Sequence, residues 1–254
     1  MRYLIFIGLL LLCISAKPQS PQVNPAASGF NEAGSDPKAI LIADETMAAM
    51  GGREAWDQTR YIHWVFFGRR RLLWDKYTGD VRVELLKDSS IILVNINTLQ
   101  GKVWMGGAEV SDPDSLQKYL TLGRSLWIND SYWLLMPFKL KDSGVTLKYI
   151  GPGVIQSGEP ADILQLTFEN VGDTPENKYL VYVDQETHLV SQWEYFRRAT
   201  DEKPTISTPW KNYQRCGKIL LSGDRGEKRQ LSEIKVLEKV DQAAFTSFQP
   251  LQLN

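Results

Sequence analysis

The segment Tyr61-Ile62-His63-Trp64-Val65-Phe66-Phe67 places bulky apolar groups on both sides of an extended chain. A strand with one solvated face alternates apolar with polar residues. This one does not. Lys178-Tyr179-Leu180-Val181-Tyr182-Val183 behaves similarly, and Trp193, Tyr195 and Phe196 follow on its neighbour. Such strands need cover on both faces. Helices can supply one cover. The other is either a curled-over part of the same sheet or an apolar ligand held in a concavity, and the strand pattern leaves both open. The chain is rich in the residues for either, with 8 Trp, 10 Tyr and 9 Phe in 254 residues. That length suits one all-β-sized domain, able to bury about 70% of its unfolded surface without staples.

The remaining punctuation predicts an antiparallel α+β chain. A helix is expected from Pro37 to Met50, with Asp36 as cap, Pro37 in the first turn and Gly51-Gly52 at the exit. Strands are expected at Arg60–Phe67, Arg71–Lys76, Val81–Leu86, Ile91–Asn97 and Lys102–Met105. A helical insertion follows, from Ser115 to Leu122 and again from Leu126 to Leu135, with Gly123 as the interruption and Pro137 as the stop. Strands resume at Thr146–Tyr149, Ala161–Phe168, Lys178–Asp184 and His188–Arg197. A polar loop at Arg198–Pro209 then leads to Trp210–Gln214, Lys218–Leu221 and Lys228–Leu237. About ten or eleven strands with helices in only two places exclude a parallel doubly wound sheet. The whole of 38–254 reads as a single domain.

Residues 1–16 read as an export signal, with Arg2 before the apolar run Leu4–Ile14 and the small pair Ser15-Ala16 at a cleavage position. The run is about 11 residues, short of the roughly 20 that cross a bilayer. Two fates are open. Cleavage after Ala16 releases a soluble protein, whereas acylation at Cys13 anchors it, although Leu12 is bulkier than the small residue that lipoprotein signals carry before the cysteine. The polar stretch 17–37 serves either fate as a disordered tether. Both leave Cys216 unpaired, a small buried hydrophobe by composition.

Reactive groups are few. With two His and two Cys there is no ordinary zinc site, and a formal charge of −1 provides no basic face for nucleic acid. No cofactor motif is present. His63 lies mid-strand and His188 follows a turn, and no Gly-x-Ser-x-Gly elbow occurs. Asp130, between Trp127 and Tyr132-Trp133, is the one carboxylate for acid–base work, since burial there would raise its pKa; as plainly, Asn129-Asp130-Ser131 is a helix interruption or cap. Asp112-Pro113-Asp114 reads as a cap and Asp173-Thr174-Pro175 as a loop. Arg69-Arg70-Arg71 and Arg197-Arg198 are solvated hairpin edges or contacts for an anionic headgroup. Trp127, Trp133, Met136 and Phe138 form either a lid or a helix's core stripe. No feature names a reaction.

Three stretches carry a resemblance: Gly51-Gly52-Arg53-Glu54-Ala55-Trp56, the run from Trp127 to Leu140, and Gly172-Asp173-Thr174-Pro175. With the order of elements, they make residues 38–240 resemble an uncharacterised family of exported bacterial proteins. More broadly, the chain resembles the LolA/LppX-like periplasmic lipoprotein-carrier fold. The resemblance implies a curved, incomplete antiparallel β-barrel with helices on its concave side and an acyl chain or other apolar ligand within. It carries over no catalytic residue. The expected protein is a monomeric, non-enzymatic binder in the periplasm or cell envelope, touching a membrane surface only through a lipid anchor. Trp64, Phe66, Trp104, Trp133, Trp193 and Tyr195 are the expected ligand-lining residues. An envelope hydrolase using Asp130 and an assembly protein with a filled core are the alternatives.

Overall fold

The computed structural model describes residues 24–169 and 171–253. The export signal, Cys13 and the first part of the expected tether lie outside them. Two helices, α1 (Pro37–Ala49) and α2 (Arg53–Gln58), precede β1 (Tyr61–Phe66), β2 (Arg70–Asp75), β3 (Asp80–Leu85), β4 (Ser90–Asn95), β5 (Gly101–Met105) and β6 (Ala108–Glu109). Helix α3 (Pro113–Leu135) and a 3-10 turn (Met136–Lys139) separate these from β7 (Val145–Val154), β8 (Pro160–Phe168), β9 (Lys178–Asp184), β10 (Val190–Phe196) and β11 (Ile206–Pro209). The chain finishes with β12 (Lys211–Cys216), β13 (Ile219–Asp224), β14 (Leu231–Leu237) and α4 (Ala243–Thr246).

The strands form one curved, incomplete antiparallel barrel. Strands β14-β1-β2-β3-β4-β5-β6 make the first sheet and β11-β10-β9-β8-β7 the second. The β12-β13 hairpin connects them. Trp210 links β11 to β12 and donates its backbone N–H to Ser191 O at 2.8 Å, while a single bridge, Asp224 to Gln230, joins the hairpin to the first sheet. The ends at β6 and β7 do not meet. Among the described residues there are fourteen strands, where ten or eleven were expected. Strand β11 hides in the polar loop 198–209, and β7 runs on through Gly151-Pro152-Gly153 because a bulge after Tyr149 absorbs the irregular backbone.

The residues expected as a disordered tether instead cover the open β7 edge from position 27 onward. Asn31 N–H donates to Val145 O at 3.0 Å and Asp36 N–H to Leu147 O at 2.9 Å. The Ser35 hydroxyl oxygen accepts from Leu147 N–H at 2.9 Å. A polar stretch looks disordered by composition, yet its hydrogen-bonding groups are what an unpaired strand edge needs. Asp36 departs from its expected role too. Its carboxylate accepts from Tyr149 N–H and from Lys148 Nζ, both at 3.0 Å, rather than from the first turn of α1.

Helix α3 is continuous across Gly123, contrary to the expected break. Asp112 caps it by accepting from Ser115 N–H at 2.9 Å, and Pro113 sits in its first turn. Gly123 is buried against β4, where an added Cβ would lie 2.6 Å from Ile92 Cγ2. The glycine permits close approach of helix to sheet.

The two-faced strand β1 is covered entirely by protein. Its inner face, with Ile62, Trp64 and Phe66, joins Leu72, Trp74, Val83 and Ile92 in the main core beneath α3. Its outer face carries Tyr61 beside Leu73, and the C-terminal segment closes over both with Phe245, Val240, Leu251 and Leu253. Arg82, 1% exposed, clamps that segment. Its guanidinium donates to Ala244 O at 3.1 Å, Ser247 O at 2.7 Å and Gln249 O at 2.9 Å, and Glu84 balances its charge at 2.7 Å.

Candidate functional site

On α3, Leu120, Gly123, Trp127, Asp130 and Leu134 repeat at helical spacing and face the first sheet. The face turned toward the second sheet carries Ser125, Ile128, Asn129 and Tyr132 at i, i+3, i+4 and i+7, flanked by Trp127 and Trp133. On that second sheet the register aligns Tyr179 with Leu166 and Tyr195, and Trp193 with Val181, so all of these share the inner face. A cavity of about 620 Å³ lies between helix and sheet. That is the size range of small-molecule pockets, and equals roughly twenty water volumes.

The wall is aromatic. Tyr179 stacks on Trp193 with centroids 5.0 Å apart and planes 5° from parallel. Tyr195 lies 5.4 Å from Tyr179, and Trp133 meets Trp193 edge-on at 4.8 Å. Tyr132 stands among them, 5.1 Å from Tyr179, 6.1 Å from Trp193 and 6.3 Å from Phe168. Its hydroxyl is buried and has no hydrogen-bond partner. Burial pushes it well above the usual phenol range, with Tyr179 and Asp142 adding to the effect. Burial likewise raises Tyr179. Both therefore remain protonated donors at neutral pH.

Polar residues also line the cavity. Ser125 Oγ donates to the Asp173 carboxylate, and Lys139 pairs with Asp142. Asn177 bonds Thr174 Oγ1 at 2.5 Å and accepts from Tyr195 Oη at 3.4 Å. Arg124 is exposed at the rim. Among the described residues lining the cavity there is neither histidine nor cysteine.

The six expected lining residues separate by position. Trp133, Trp193 and Tyr195 lie in the cavity wall. Trp64 and Phe66 do not, because the inner face of β1 is sealed by α3 and Trp64 has no exposure at all. Phe66 instead supports Phe67 at 3.9 Å and the edge of Trp133 at 6.3 Å. Trp104 lies on the opposite face of β5 from the core residue Val103, and packs on Phe248 at 5.5 Å. Strand alternation decides that placement. Of the insertion's apolar cluster, Trp127 and Trp133 line the cavity, while Met136 and Phe138 are core. Tyr132, Tyr179 and Phe168 complete the wall without having been singled out for it. Tyr179 was legible in principle, since the short hairpin after β9 sets it opposite Tyr195.

Asp130 is buried on the other side of the helix and does not line the cavity. Its two oxygens accept from Arg70 Nε at 2.6 Å and Nη2 at 2.8 Å. Burial raises its carboxyl, and the Arg70 guanidinium opposes that rise. Arg70 is therefore no solvated edge charge, and Arg71 is held by Glu84 at 3.1 Å. His63 is buried on the outer face of β1, its Nδ1 2.8 Å from Glu233 O, and burial lowers its pKa. His188 lies 3.5 Å from Glu45. Cys216 is half-buried, and burial raises its thiol. Among the described residues no group of three or more His, Cys, Asp or Glu is placed to hold a metal.

Arg225, between β13 and β14, was not singled out in the sequence and links the end of α3 to Trp210. It is 2% exposed and lies 3.2 Å over the Trp210 ring. Its Nη2 donates to Trp133 O at 2.9 Å, near the carbonyl end of α3, where a cation is favoured. Burial lowers its pKa to about 9, so it is charged at neutral pH.

No family model matches the sequence, and no curated protein matches it. Solved structures do. The chain is similar to a DUF1329 family protein from Desulfovibrio piger, 12% identical, over 84% of this chain and 98% of that one, with a TM-score of 0.46. It is similar to a LolA superfamily protein from Nitrosomonas europaea, 11% identical, over 82% and 97%, with a TM-score of 0.39. A putative outer membrane lipoprotein-sorting protein domain from Vibrio parahaemolyticus is 8% identical over 82% and 96%, with a TM-score of 0.42. LolA-superfamily proteins, the resemblance stated from the sequence, are thus among the structures it is similar to. No helix among the described residues is long and apolar enough to cross a membrane.

Proposed function

We propose that this protein is a non-enzymatic binder of an apolar molecule, an acyl chain or lipid, working in the cell envelope after export. The observation that carries the reading is the cavity of about 620 Å³ between α3 and the second sheet, walled by Tyr132, Trp133, Phe168, Tyr179, Trp193 and Tyr195. Transfer of an acyl chain from water into such a wall is favourable by about 0.8 kcal/mol per buried methylene. A filled-core assembly protein would have no space on this scale. A hydrolase using Asp130 would need its carboxylate in the cavity, and both of its oxygens are held by Arg70 behind the helix.

Native mass spectrometry of the purified protein tests the reading. A bound lipid-sized mass is expected, displaced by added detergent. Absence of any bound mass, together with no quenching of tryptophan fluorescence by brominated acyl chains, overturns it. Trp127, Trp133 and Trp193 all line the cavity and would report a bound chain directly.

A further inference from the structure

One row of α3 changes character along the cavity. Arg124, Trp127, Ile128 and Ser131 stand at i, i+3, i+4 and i+7, share a helix face and all line the cavity. Arg124 is exposed, Trp127 and Ile128 are half-buried, and Ser131 is buried, as is Trp133 beyond it. At 1.5 Å per residue the row from Arg124 to Ser131 spans about 10.5 Å. Its rim is cationic and its floor is aromatic. Four charged side chains line the cavity: Arg124, Lys139, Asp142 and Asp173. Lys139 pairs with Asp142 and Asp173 accepts from Ser125 Oγ, whereas among the described residues Arg124 has no ion pair and no hydrogen-bonded side-chain partner. Successive helical residues point about 100° apart, so Arg124 leaves the helix in a different direction from Ser125 and the carboxylate it holds.

We infer that Arg124 is a specificity-determining residue that receives the carboxylate headgroup of an acyl amphiphile, whose chain runs past Trp127 and Ile128 to the aromatic floor. This rests on the cavity-binding reading and goes beyond it by naming the ligand's charge and its direction in the cavity. A charged headgroup is costly to bury without a partner, so it stays at the exposed end while the chain takes the buried one. The guanidinium there is always charged and presents paired donors that match the two oxygens of a carboxylate. One unpaired cation balances one negative charge, which suits a carboxylate better than a phosphate monoester of charge about −2.

The test compares dodecanoate with 1-dodecanol, which share chain length and differ in headgroup charge at about pH 8. Binding to the full-length protein is followed by tryptophan fluorescence below the micellar concentration of dodecanoate and the solubility limit of dodecanol. Arg124→Gln should weaken dodecanoate about two- to fivefold, the range for an exposed ion pair, and leave dodecanol unchanged. Raising salt from about 50 to about 500 mM should weaken dodecanoate more on the wild type than on Arg124→Gln. Equal weakening of both ligands by Arg124→Gln, unchanged dodecanoate binding, or the same salt dependence in both proteins overturns the inference and leaves cavity binding standing. So does a wild type that binds dodecanol alone. If neither ligand binds the wild type, the cavity-binding reading itself fails and takes the inference with it. Thermal unfolding adds an independent check. Arg124→Gln should unfold at the wild-type temperature, because the side chain is exposed and unpaired. A lower temperature means that it has an internal partner, and overturns the inference.

Discussion

One helix and one kind of aromatic-rich strand produce a packed region and an open region on either side of α3. Toward the first sheet, Gly123 lets the helix backbone approach β4 until an added Cβ would lie 2.6 Å from Ile92, and Trp64, Leu72, Val83 and Ile92 have no exposure. Toward the second sheet the same helix presents Tyr132 and Trp133, whose rings meet Tyr179 and Trp193. Small residues allow close contact, whereas large rings propped against one another leave space beside them. An apolar surface thus becomes core or binding wall according to what faces it.

Removing the strut beneath this division should have the largest effect. Asp130→Ala leaves Arg70 unpaired on the packed side, and is expected to lower unfolding stability by about 3 kcal/mol in urea titration. Any ligand affinity should survive at temperatures where the variant stays folded. If Asp130→Ala instead abolished a measured activity at unchanged stability, the packed side would be the functional one.

Next comes the same kind of enlargement on each side. Val83→Phe or Gly123→Val, in the packed region, should cost about 2 kcal/mol. Ile206→Phe, in the cavity wall, should change stability by less than about 0.5 kcal/mol while weakening acyl-chain binding several-fold. Equal destabilisation at Val83 and Ile206 would mean that the space closes in solution.

The smallest effect concerns the outer cover of β1. Burial holds His63 neutral, its pKa below the ordinary imidazole value. As pH falls below about 6.5 the unfolded chain takes up this proton first, so stability should decline there. His63→Asn should flatten that decline in urea midpoints compared at pH 7.5 and 5.5. An unchanged slope would assign it to other groups.

Much of the architecture was legible because it is local. The unbroken apolar run along Tyr61–Phe67 and the Asp112-Pro113 cap are read within a few residues, and the structure places β1 and α3 accordingly. The antiparallel α+β class follows from the same signals. Errors arose where a residue's meaning depends on a distant partner. Gly123 reads as a breaker until β4 is seen against it, and 27–36 read as a tether until the β7 edge appears. Trp104 and Trp193 are alike as letters, yet lie on opposite kinds of face. Sequence by itself determined that strands such as β1 need apolar cover on both sides, since an uncovered apolar face is unfavourable in water. Only the tertiary structure decided the cover. The C-terminal segment clamped by Arg82 closes the outside of β1, α3 fills the inside, and the inner wall of the second sheet is left open. Those outcomes are set by contacts between residues far apart in the chain, where hydrophobic burial is strong but carries no address.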